Sequence, residues 1–260
     1  MSRQGLDRRI LGKLTKDLDK KRTSRTNPGQ LMLENGRFFM GTRYKIGTLE
    51  TKRVEHLIAN LREFDCVTFI ESVVALRWLV RSRGKSFEAF RRLLCKIRYR
   101  KGQLQGYPSR LHYFSDWIHD NQKKGMLKDV TRETGGRPLR KVITFMTTHP
   151  ELYPRLKNAA NFRSMKSVEE RASRRRLFFI PKKDLRRFED RIEDGDIIAV
   201  TSNVEGIDVQ HVGLAVRVKN RIHLLHASSS EGKVVLSEET LYRYLMKSRT
   251  RSGIMVGRIV

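Results

Sequence analysis

Cysteine and histidine are the side chains of this chain best suited to covalent and acid–base chemistry, and it holds two of the first and seven of the second. Cys66 follows Asp65 at the head of FDCVTFIESVVALRWLV (64–80), the most apolar run in the sequence. Asp65 reads as an N-cap, which puts Cys66 in the first turn of a helix. A thiol there feels the positive end of the helix dipole, which lowers its pKa and favours thiolate. The same position also suits a small core filler. Cys95 lies inside SFEAFRRLLCKIRY (86–99) with no histidine or acid paired to it, and reads as a core hydrophobe.

Two of the histidines fall on a pair of adjacent strands, HVGLAVRV (211–218) and RIHLLHASS (221–229). If Lys219-Asn220 is a two-residue turn, Val218 pairs with Arg221 and residue 211 faces Ser228. His226 is then the diagonal neighbour of His211 on one sheet face. Gly213 and Ala215 share that face, and their small size predicts close approach by something bulky, a helix being the natural candidate. Val212, Leu214, Val216 and Val218 point the other way. A cysteine at a helix start, a strand histidine and a second polar residue beside it are the parts of thiol catalysis: nucleophile, base and orienter. Two strand histidines also begin a metal site, but no Cys, Asp or Glu joins them at ligand spacing, so no metal or other cofactor is expected.

The elements that must position these residues follow from pattern. Residues 1–30 are a basic arm, a short helix or loose segment ending at the Asn27-Pro28-Gly29 turn signal. Residues 31–260 form one catalytic domain with a largely helical insertion over about 84–190. GTRYKIGTLE (41–50) reads as a loop or short strand. The run from Val67 to Leu79 is apolar around nearly its whole circumference, which predicts a buried central helix. Residues 86–99 are amphipathic; LHYFSDWIHDNQKKG (111–125), KVITFMTTHPELYPRL (141–156) and KSVEERASRRR (166–176) are further helical stretches. IIAVTS (197–202), the two histidine strands, KVVLS (233–237) and GIMVGRIV (253–260) are strands. Helices first and an antiparallel sheet after give an α+β layout.

Composition bounds the function. The net charge is +27, with 38% hydrophobic residues and 6 Pro, which excludes a disordered chain. Two cysteines make no disulfide framework. No uncharged apolar stretch is long enough to span a bilayer, and MSRQGLDRRILGKLTKDLDKK lacks the apolar core of a secretory signal. The charge suits a partner that is nucleic acid or another polyanion. Against a nucleic-acid reading, Lys and Arg are spread along the chain and no helix-turn-helix, zinc or RNA-recognition motif occurs.

NLREFDCVTFIESVVAL, with GTRYKIGTLE before it, resembles the nucleophile region of the NlpC-type cysteine peptidases of bacterial cell walls. Tyr44, Asp65-Cys66, His211 and His226 match that superfamily's marks in order, and Gly195-Asp196 fits the pair that opens its preceding strand. FDCVTF, IRYRKGQLQGYPSRLHYFSDWIHDN, IPK, GDIIAVTS, DVQHVGLA and LLHASS are similar to one branch, the AmiA-like N-acetylmuramoyl-L-alanine amidases, over roughly residues 35–260. The resemblance implies a papain-like α+β fold, with the nucleophile helix packed on a central antiparallel sheet. It implies hydrolysis of the N-acetylmuramoyl–L-alanine amide of small muropeptides, including 1,6-anhydro forms, with no metal. Cys66 would attack, His211 would move the proton, His226 would orient His211, and Tyr44 with the Cys66 N–H would hold the oxyanion. Arg110, Tyr113 and Trp117 are candidates for carboxylate and sugar recognition, with the core as the alternative for the two rings. Asp208 would contact substrate or close a turn, and Asp65 and Ser228 complete the candidate substrate set. Arg43 and Lys45 depart from the branch pattern beside Tyr44. A stem-peptide endopeptidase or an acyltransferase on the same fold is the alternative, and a polyanion-binding protein the third reading. The expected partners are peptidoglycan fragments, with anionic wall polymers or lipids drawn by the charge. The expected compartment is the periplasm or envelope if a signal has been removed, and otherwise the cytoplasm.

Overall fold

Residues 2–21, 27–50, 54–82 and 84–260 are described by the computed structural model. In chain order the first half carries α1 (Arg3–Lys21), α2 (Pro28–Phe38), β1 (Arg43–Tyr44), β2 (Glu63–Phe64), α3 (Cys66–Arg81), α4 (Phe87–Arg98) and α5 (Phe114–Lys123). Then come β3 (Lys128–Asp129), α6 (Thr131–Thr134), β4 (Arg137–Leu139), α7 (Phe145–Thr148), α8 (Ala159–Ser173), β5 (Leu177–Pro181) and α9 (Leu185–Phe188). The C-terminal part is β6 (Ile197–Ser202), β7 (Val209–Val218), β8 (Arg221–Ser228), β9 (Lys233–Thr240), α10 (Leu241–Met246) and β10 (Arg251–Arg258). The strands form one sheet in the order β2-β1-β9-β8-β7-β6-β10-β5-β4, with β3 on β10. Only the short β1–β2 pair is parallel among these pairings. The fold is α+β with a large, mostly antiparallel sheet.

Each face of the sheet is covered. The side chains of Val212, Leu214, Val216, Leu225 and Ala227 join one core with Phe69, Ile70, Val73 and Leu76 of α3. Ile198, Val200, Ala215, Ile222, Leu224 and Ile254 face the other way, against Leu241 and Leu245 of α10 and Leu185 of α9. Helix α3 is buried almost all round, as its sequence predicts, because α2 and α4 pack against it in addition to the sheet. A buried ion pair, Glu71 to Arg98 Nε at 2.7 Å, ties α3 to α4. Lys219 and Asn220 both have positive φ (46° and 63°), which is the two-residue turn whose twist matches a hairpin. Val218 therefore pairs with Arg221 and Leu214 with Leu225, in the expected register.

The arm and the insertion are less separate than their composition predicts. Leu11 and Leu14 of α1 are buried in the main core, and Asp7 accepts from the Leu61 N–H at 2.9 Å. Asn27-Pro28 is the start of α2 and not a turn closing the arm: the Asn27 side chain caps the Gly29 N–H at 2.8 Å. Within α2, a Cβ on Gly36 would lie 2.8 Å from Leu225 Cδ2, so this glycine lets the helix sit directly on the sheet. Residues 84–190 share the main core through α4 and α5, and β3 and β5 extend the sheet from β10. The helical stretch at 166–176 starts earlier, at Ala159, and 141–156 is only one short helix followed by 3-10 turns.

Candidate active site

Cys66 is the first residue of α3. The Asp65 side chain accepts from the Thr68 N–H at 2.8 Å, and the Asp65 N–H donates to Thr68 Oγ1 at 3.0 Å, a reciprocal cap that fixes the helix start. That side chain is committed to the cap, so Asp65 acts on the site as a charge behind the thiol. In β7, the Ala215 N–H donates to Asp196 O on the β6 side, so by alternation the Val212 N–H points toward β8. The paired register of β7 and β8 stops at Leu214↔Leu225, short of Val212. The Val212 N–H therefore acts on the Cys66 sulfur, together with the N–H groups of Val67 and of Cys66 itself. These dipoles lower the thiol pKa as the sequence predicts. Burial and the Asp65 charge outweigh them and push it up to about 12. The expected thiolate is thus corrected: the resting sulfur is a protonated thiol.

His211 and His226 meet as the hairpin register requires. His211 Nε2 lies 2.7 Å from His226 Nδ1, with the rings edge-on. Gly213 makes this possible, because a Cβ there would stand 3.0 Å from His226 Cβ. A helix does cover the face of Ala215, as expected, but it is α10, through Leu241 and Leu245. The nucleophile helix lies on the valine face, and what approaches Gly213 is His226 itself. Both imidazoles are held neutral. Burial pushes His211 down to about 3, aided by His226 and Arg251, and pushes His226 down to about 4, aided by Arg251. With the shared proton on His211 Nε2, its Nδ1 is a lone-pair acceptor that no described residue occupies. Cys66 and His211 are not hydrogen-bonded to each other; the Val212 amide, one residue from His211, links their positions.

Tyr244 and Arg251 complete the cluster, and no motif in the sequence marks them. The Tyr244 ring is 5.9 Å from each histidine ring, and the Arg251 guanidinium lies 3.6 Å over its centre. Arg251 also donates to the Tyr244 carbonyl. Tyr44 comes from the other side: β1 pairs in parallel with β2, Tyr44 opposite Phe64, which sets it beside Asp65-Cys66. Burial raises its pKa, and so would negative charge at Cys66 and at Asp65, so its phenol remains a donor. Lys45 and Arg43, the two departures next to it, both reach Glu63, at 3.1 and 3.8 Å. Ser228 is buried and shares a 3.0 Å hydrogen bond with Ser230. It lines, with His226, Tyr244, Lys233 and Glu239, a cleft of about 490 Å³.

Four other expected contacts serve the interior. Trp117 is fully buried and stacks on Phe114, so it offers no face to a sugar. Tyr113 is buried, donating to Glu169 at 2.6 Å and accepting from the Met146 N–H at 2.9 Å. Arg110 is buried and taken by Glu50 at 2.6 Å and Glu55 at 3.5 Å, so its guanidinium holds the segment after Tyr44 and not a substrate carboxylate. Asp208 is buried and accepts from the Ser115 N–H at the start of α5 and from its neighbour Val209, both at 2.7 Å. It anchors the head of β7. Among the described residues no group of three or more His, Cys, Asp and Glu could hold a metal ion, and no helix is long and apolar enough to cross a membrane.

Residues 34–254 match the AmiA-like family, described as N-acetylmuramoyl-L-alanine amidase-like. An N-acetylmuramoyl-L-alanine amidase from Bacteroides uniformis ATCC 8492, with a crystal structure at 1.07 Å, is 39% identical. The match covers 90% of this chain and 99% of that one, with a TM-score of 0.85. A Bacteroides fragilis protein carrying the provisional name of a xylanase is 42% identical, over 86% and 99% of the two chains, with a TM-score of 0.81. A Legionella pneumophila str. Philadelphia 1 protein of the DUF1460 family, 21% identical over 99% and 96%, shares the fold with a TM-score of 0.77. None of the curated proteins matches this chain. The family match spans most of the chain, and the chain belongs to the AmiA-like family of N-acetylmuramoyl-L-alanine amidase-like proteins, and so to the peptidoglycan amidases in general.

Proposed function

We propose that this protein is a cysteine hydrolase that cleaves the amide between the lactyl group of N-acetylmuramic acid and L-alanine in muropeptides, 1,6-anhydro forms included. The observation that carries this reading is the Cys66 thiol at the head of α3 against the Val212 amide, next to a histidine already oriented by a second histidine. The nucleophile helix packed on the central sheet is also what a papain-like fold of the NlpC type would require.

Because the resting pair is neutral, His211 acts as a general base during attack. Its Nδ1 takes the thiol proton as the sulfur bonds to the lactyl carbonyl carbon, whose oxygen becomes the oxyanion. Tyr44 and the Cys66 N–H donate to that oxygen. The C–N bond then breaks and His211 returns the proton to the leaving amine of L-alanine. Water attacks the thioester, giving its proton to His211, and the muramoyl carboxylate and free thiol are regenerated. His226, accepting from His211 Nε2, fixes the tautomer that leaves Nδ1 free to act as the base, and Tyr244 packs against both rings. Ser228 and the cleft beside it receive the substrate.

Defined muropeptides with product mass spectrometry test this reading. Wild type is expected to release a free muramoyl carboxylate and an L-alanine-led peptide, and Cys66→Ala to lose at least about a thousandfold in rate. Cleavage within the stem peptide, acyl transfer, or sugar release from xylan that survives Cys66→Ala would each overturn it.

A further inference from the structure

The clefts of this protein differ in the sign of their charge. The one beside His226 mixes Lys233 and Lys247 with Glu231, Glu238 and Glu239, and two others likewise hold both signs. A further cleft, of about 620 Å³, lies between β4 with its following residues and the end of α8. Its charged lining is Arg140, Lys141, Arg174, Arg175 and Arg176, with no carboxylate. The sequence is stripped of acids on both walls, from Gly135 to Pro150 and from Arg171 to Lys183.

Two of the five cations are internally engaged. Arg175 pairs with the buried Asp116, and Lys141 Nζ donates to Ser202 O at 3.0 Å and Val204 O at 2.6 Å. The other three, Arg140, Arg174 and Arg176, are exposed and have no ion pair or side-chain hydrogen bond among the described residues. Of the five cations Asp116 answers only Arg175, so folding has gathered the other like charges in a concavity whose lining holds no carboxylate, and their mutual repulsion is eased when an anion is supplied. Arg176 is also held in place, stacked on Phe178 with its guanidinium 5.5 Å from the ring centre.

We propose that this cleft binds a linear phosphate-repeat polymer through its charges alone. The concave shape favours a chain over a flat lipid surface. The lining holds no aromatic side chain, so it offers no ring to stack a nucleobase. The cleft shares no lining residue with the one beside His226 and includes neither Cys66 nor His211, so this site would tether the protein rather than take part in hydrolysis.

The test is titration of labelled inorganic polyphosphate against the full chain at 50 to 200 mM salt, with the triple variant Arg140→Ala/Arg174→Ala/Arg176→Ala. Each guanidinium that displaces a counterion adds about 0.7 to the log–log salt slope, so the variant's slope should be shallower by about 2. Over that fourfold salt range, wild type should lose about 16-fold more affinity than the variant. A charge-matched control, Arg3→Ala/Arg9→Ala/Lys13→Ala on the exposed side of α1, should keep the wild-type slope. Equal weakening by the control would assign binding to the overall +27 and overturn the local site. Tighter binding of single-stranded DNA of equal charge, or of phosphatidylglycerol vesicles, than of polyphosphate would overturn it as well.

Discussion

Alkylation of Cys66 by iodoacetamide measures the contest between burial and backbone dipoles at this thiol. Only the thiolate reacts. An ordinary thiol at 9.0 is about one part in a hundred ionised at pH 7; at about 12, Cys66 is about a thousandfold less ionised. The rarer thiolate is also the stronger nucleophile: with a Brønsted coefficient of about 0.45 it gains roughly 20-fold. The net expectation is alkylation about 30- to 60-fold slower than that of N-acetylcysteine at pH 7. The slope is the sharper readout, because it does not depend on steric access to the sulfur. The rate should climb about tenfold per pH unit from pH 6 to 9 with no plateau. Peptide-level mass spectrometry separates Cys66 from Cys95, whose thiol is also raised, chiefly by burial. A rate that is flat from pH 5 upward would mean a resting thiolate–imidazolium pair. The conclusion that burial and Asp65 outweigh the three N–H groups would then be wrong.

Arg251 disfavours protonation of both histidines, so Arg251→Met should raise their pKa values. The acid limb of kcat/KM should move upward from its wild-type position near pH 3 to 4; an unmoved limb would leave Arg251 without an electrostatic role. Asp208→Ala removes the acceptor of two backbone N–H groups at the head of β7, at a cost of about 1–3 kcal/mol for each amide left unsatisfied. Its activity loss should fall on kcat with KM nearly unchanged, and a rise confined to KM would restore Asp208 as a substrate contact. Trp117→Ala empties a fully buried site and should cost about 3–5 kcal/mol by denaturant unfolding. Wild-type stability with a raised KM would return Trp117 to the substrate surface.

What the sequence reveals and what it hides divides along physical lines. The cap at Asp65, the all-round apolar helix behind it and the hairpin turn at Lys219-Asn220 are local, so their residues can be read by spacing alone. The turn fixes the register, and the register brings His226 to His211. The protonation state of the site is not local. The pKa of Cys66 depends on how deeply the sheet buries the head of α3, and no dipole argument from the first turn carries that information. Tyr44, Tyr244 and Arg251 reach the site through strand order: β1 sits beside β9 and β10 beside β6, pairings that no sequence interval encodes. The same limit misplaced Arg110 and left Tyr113 and Trp117 open between a sugar-binding face and the core. Aromatic and cationic side chains four or fewer residues apart suit a sugar-binding face, but whether that face looks outward depends on what packs over it. Here α5 adds Phe114 and Trp117 to the main core, and Glu169 of α8 takes the Tyr113 hydroxyl. Local signals therefore locate the nucleophile and its base, while burial, set by distant partners, determines the protonation state in which they begin the reaction.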